Sequence, residues 1–134
     1  MATSPSTDTF KCQIDSDPPF SFPIVSAYRD AKYLRILGAQ EEWEQKIENF
    51  EFNFSPTIKS GDYKLKDPGV FVDIRTGLVN IRYTPTSMTL RLTVDHSSKL
   101  VSGVFDVQTV EDYGGGSRPG IRVNGNFKAT YKDV

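Results

Sequence analysis

The stretch Ile121-Arg122-Val123-Asn124-Gly125-Asn126-Phe127-Lys128-Ala129-Thr130-Tyr131 decides the fold class. Ile121, Val123, Phe127, Ala129 and Tyr131 alternate with Arg122, Asn124, Asn126, Lys128 and Thr130. A period of two puts every apolar side chain on one face of a strand, whereas a helix would scatter them around its axis. Gly125 falls on the apolar face, where a missing side chain marks a bend, a bulge or a close backbone approach.

The same alternation extends back along the chain. Val101, Gly103, Phe105 and Val107 share a face, as do Met88, Leu90, Leu92 and Val94. Val70, Val72 and Ile74, then Val79, Ile81 and Tyr83, flank Thr76-Gly77 and read as a hairpin over residues 70–83. Ser60-Gly61-Asp62 and Asp67-Pro68-Gly69 bracket the short strand Tyr63-Lys64-Leu65. Pro85 to Ser87 reads as a break, Asp95 to Lys99 as a loop of five, and Tyr113 to Gly120 as the longest flexible loop.

The N-terminal half is less regular. Phe10 to Asp15 reads as a strand, and Asp15-Ser16-Asp17-Pro18-Pro19 as a turn. Phe20, Phe22 and Ile24 alternate in a second strand that Pro18, Pro19 and Pro23 confine to a sheet edge, since proline cannot donate to a ladder. Tyr28 to Lys32 is polar, and Tyr33 to Leu37 is a strand ended by Gly38. Residues 40–54 carry two periods. Trp43, Ile47, Phe50 and Phe54 form a helical stripe, but Asn49-Phe50-Glu51-Phe52-Asn53-Phe54 alternates too strictly to be spent in a helix. The expectation is a loop or single helical turn near 41–45, with at most one short helix over 40–46, and a strand over about 46–55.

A chain of 134 residues with 37% apolar and 25% charged residues fits one globular domain. The abundance of Phe, Tyr, Val, Ile and Thr suits pleated, half-buried surfaces. The fold expected is all-β: an antiparallel β-sandwich or flattened small barrel of about nine or ten short strands over residues 10–134. Residues 1–9 form a polar lead-in with neither the basic start nor the apolar core of a secretory signal. The reading is a soluble protein, cytoplasmic by default and secreted if a signal was removed upstream. A net charge of −1 argues against nucleic-acid binding by charge, and no apolar run reaches the ~20 residues of a spanning helix.

Three segments carry a resemblance. Ser60-Gly-Asp-Tyr-Lys-Leu, Leu100-Val-Ser-Gly-Val-Phe-Asp-Val and Arg122-Val-Asn-Gly-Asn-Phe-Lys-Ala-Thr-Tyr resemble small bacterial all-β domains of unknown function. Those domains are often secreted or lipid-anchored, with paired Ser-Gly-x-Phe and Asn-Gly-x-Phe strands in their C-terminal halves. The resemblance implies no catalytic residues, and this chain's Cys12 lies inside a strand rather than at a lipidation site.

The material for catalysis is thin. Cys12 reads as a small buried hydrophobe and His96, the one histidine, as a solvated loop residue. There is no Gly-x-Ser-x-Gly elbow, and one His with one Cys is too few for zinc. The expectation is no enzyme and no cofactor. Asp15 and Asp17 are weak calcium candidates. The glycine loop 114–120 resembles an anion nest, with Tyr113 and Arg118 as contacting side chains. Trp43, Tyr28 and Tyr33 are aromatics outside the regular alternation, of the kind that stack on sugars or anchor proteins. The function expected is therefore a recognition domain for a protein or carbohydrate. The alternative is a small hydrophobic-ligand carrier with a lipocalin-like interior, with a hydrolase last. An edge strand leaves homo-oligomerisation open.

Overall fold

The computed structural model describes residues 7–40, 47–76 and 81–134. Eleven strands follow in order: β1 (Thr9–Ile14), β2 (Phe20–Ser21), β3 (Ile24–Arg29), β4 (Leu34–Ala39), β5 (Asn49–Phe54), β6 (Gly61–Lys64), β7 (Val70–Arg75), β8 (Arg82–Asp95), β9 (Leu100–Asp112), β10 (Ser117–Thr130) and β11 (Lys132–Asp133). They form one strongly curled sheet, a half-barrel, in the order β11-β3-β4-β5-β7-β8-β9-β10-β1-β2, with β6 also paired to β8. Every pairing is antiparallel except β11 with β3. None of the described residues is helical. The expected helical turn near 41–45 lies outside the described residues.

The concave face is packed with phenylalanine. Phe50, Phe52 and Phe54 of β5 are all buried, so the period of two wins over the helical stripe there. Phe10 of β1 stands at the centre, with ring centroids 5.3 Å from Phe22, 5.3 Å from Phe50, 6.3 Å from Phe52, 5.8 Å from Phe105 and 5.7 Å from Phe127. Tilted and edge-on pairs at these spacings add to burial by about 0.5–1.5 kcal/mol each. Two glycines make room for the rings. A Cβ on Gly38 would lie 2.5 Å from Phe22, and one on Gly103 would lie 2.6 Å from Phe127. Gly38 therefore sits inside β4 and does not end the strand as expected.

Four other boundaries differ from the sequence reading. Pro23 splits the second strand in two. Phe22 between the halves turns inward and donates its N–H to Phe10 O at 2.9 Å, while Ile24 is exposed. The ladder then continues past Ile24 through Tyr28 to Arg29, into the stretch read as polar. Pro85 to Ser87 does not break the chain, because a register shift there carries β8 through as one 14-residue strand. A second shift between Pro119 and Arg122 starts β10 at Ser117, leaving a tight turn in place of the expected long loop. In both cases a bulge absorbs the proline that a regular ladder could not accommodate.

Candidate functional site

The outer face of β3, β4, β5 and β7 carries an aromatic patch. The register aligns Tyr28 with Arg35, Arg35 with Asn53, and Asn53 with Phe71 in one row across four strands. Tyr33 joins the row from the turn before β4. The Asp30 carboxylate fixes that turn by accepting the N–H groups of Lys32 at 2.8 Å and Tyr33 at 2.9 Å. The same two bonds hold the Asp30 pKa below the ordinary carboxylate value.

The Arg35 guanidinium lies 5.2 Å from the Tyr33 ring centroid and 5.8 Å from that of Tyr28. Such cation–π contacts are worth about 0.5–1 kcal/mol at an exposed site. Arg35 Nη1 reaches Glu51 Oε1 at 3.5 Å, so its charge is balanced within the patch. Phe71 is 55% exposed and meets Tyr33 edge-on at 5.9 Å. Two atoms in the row have no hydrogen-bond partner and no solvent contact: Arg35 Nε and Asn53 Oδ1. A buried polar group left unpaired costs about 1–3 kcal/mol, so a folded protein rarely holds two as neighbours without a reason.

Beside Phe71 the sheet splays. Among the described residues β7 pairs with β8 through Ile74–Tyr83 and Arg75–Arg82, while β6 takes over along Thr89 to Leu92. Residues 65–69 link β6 to β7 between the two contacts. They leave an open groove of about 450 Å3 lined by Leu65, Pro68, Val70, Phe71, Val72 and Pro85.

Of the residues singled out in the sequence, Tyr28 and Tyr33 come together here, and Trp43 lies outside the described residues. Tyr113 and Arg118 are neighbours at the far end of β9 and β10, with the guanidinium 5.8 Å from the ring. Arg118 grips Glu111 through two bonds of 2.9 and 3.1 Å, which lowers the Glu111 pKa, and the Asp112 carboxylate accepts the Gly114 N–H at 3.0 Å. Arg118 and the Gly114 N–H of the expected anion nest are thus engaged by the chain's own carboxylates. Asp15 Oδ1 accepts the Arg122 N–H at 3.0 Å, tying the β1–β2 turn to β10. Among the described residues, no three His, Cys, Asp or Glu side chains gather as metal ligands would. Cys12 is buried, and burial pushes its thiol pKa far up.

His96 is not the solvated loop residue expected. Its Nε2 lies 2.6 Å from Ile58 O, and its Nδ1 lies 2.7 Å from Tyr131 Oη and 3.3 Å from Arg29 Nη1. The carbonyl requires Nε2 to donate, so Nδ1 is the acceptor. Arg29 also stacks on the Tyr131 ring at 5.0 Å and holds Asp133 at 2.6 and 3.1 Å. With Tyr131 buried, the cluster ties β3, β11 and two loops together and presents no nucleophile to a substrate.

Sequence reasoning missed Arg35, Asn53 and Phe71. Phe71 left a trace, as a large aromatic on the outward step between inward-facing Val70 and Val72. The other two became visible only through cross-strand register. No family model matches the chain, and no curated protein or solved structure matches it.

Proposed function

We propose that this domain is a non-enzymatic recognition module whose binding surface is the outer face of β3, β4, β5 and β7. The single observation that carries the reading is the row Tyr28–Arg35–Asn53–Phe71 with Tyr33. It combines an Arg packed over two Tyr rings, an exposed Phe and two unpaired polar atoms on four paired strands. Tyr, Phe and Arg are the side chains that concentrate binding energy when a partner covers them. The adjoining apolar groove enlarges the same surface.

Carriage of a hydrophobic ligand in the interior is the second reading. The concave face supports it less, because seven buried phenylalanines occupy that space. As to architecture, we infer a flattened barrel. β11 continues β10 past Tyr131 and pairs with β3, which brings the far end of the sheet back to its beginning.

Photo-crosslinking in the native host tests the reading. Benzophenone inserts into C–H bonds of peptides and sugars alike. Placed at position 71, it should yield an adduct that the same probe at Val104, exposed on β9, does not. Equal labelling at both positions, or none at 71, overturns the reading.

A further inference from the structure

We draw no further inference here: the strongest candidate, the open apolar groove where β7 parts from β8, lined by Leu65, Val70, Val72 and Pro85, carries nothing because nothing in the structure shows what covers it.

Discussion

His96 ties distant segments together, although the sequence offers it as an ordinary member of a polar Asp-His-Ser-Ser-Lys loop. Its ring spends both nitrogens, one on Ile58 O and one on the hydroxyl of buried Tyr131. Removing the ring leaves that carbonyl and that hydroxyl without partners, at about 1–3 kcal/mol for each group that water cannot reach. His96→Ala should therefore lower the unfolding free energy by about 2–4 kcal/mol, measured by urea denaturation with an unchanged slope. A loss below ~0.5 kcal/mol, the range of ordinary surface substitutions, would return His96 to the solvated role its neighbours suggest. Nothing local announces this role. The partners lie 35 and 38 positions away and arrive only once the sheet has curled. Cys12 is the opposite case, because alternation with Phe10 and Ile14 already placed it inside, where it is found.

Among the elements, strands were legible wherever one face meets the core and the other meets water. The inward sets of β9 and β10 are buried as the alternation of residues 101–107 and 121–131 requires. The ends of β8 and β10 were not legible, because proline and glycine punctuate a ladder and a bulge in the same letters. Pro85 and Pro119 are bulge residues here, and a Cβ on Gly120 would lie 2.5 Å from Thr109 Oγ1. The patch was half legible for a related reason. Tyr28 and Tyr33 stand out along the chain, whereas Arg35 and Asn53 acquire meaning only from the strand beside them. The β8–β9 turn shows how an element can depend on pH. Asp95 accepts from Ser97 Oγ at 2.6 Å, Ser97 N at 3.0 Å and Ser98 N at 3.4 Å, and these bonds lower its pKa from 3.8 to about 2. The folded state thus binds the Asp95 proton more weakly than the unfolded chain does. This contribution to stability is present above the unfolded value near 3.8 and is lost as pH falls through about 2. Asp95→Asn should cost stability at neutral pH, and the gap from wild type should close between those two values. A gap that stays constant from neutral pH down to about 2 would show that the turn does not use the carboxylate charge.

At the scale of the whole molecule, the start and end of the chain meet in one sheet, with Phe10 of β1 opposite Phe127 of β10. β1 adds more than a strand. Its Phe10 ring touches rings from β5, β9 and β10 together with Phe22, so the concave face cannot be filled until β1 has docked. Folding should then be a single cooperative event, and contacts that span nearly the full sequence place the expected refolding in the millisecond-to-second range. Phe10→Ala would remove the ring shared by all these pairs. Large-to-small changes at such sites cost about 3–5 kcal/mol, against a total of about 5–15 kcal/mol for a typical domain. The variant should melt with one transition at a much lower temperature, monitored by the near-UV dichroism of the aromatic core. Phe71→Ala, a similar deletion on the outer face, should leave the melting temperature within the range of surface substitutions. If Phe10→Ala instead melts in two steps, with β3, β4, β5 and β7 surviving the first, the curled sheet is two units sharing a seam. The Ile74–Tyr83 and Arg75–Arg82 pairs are where it would part.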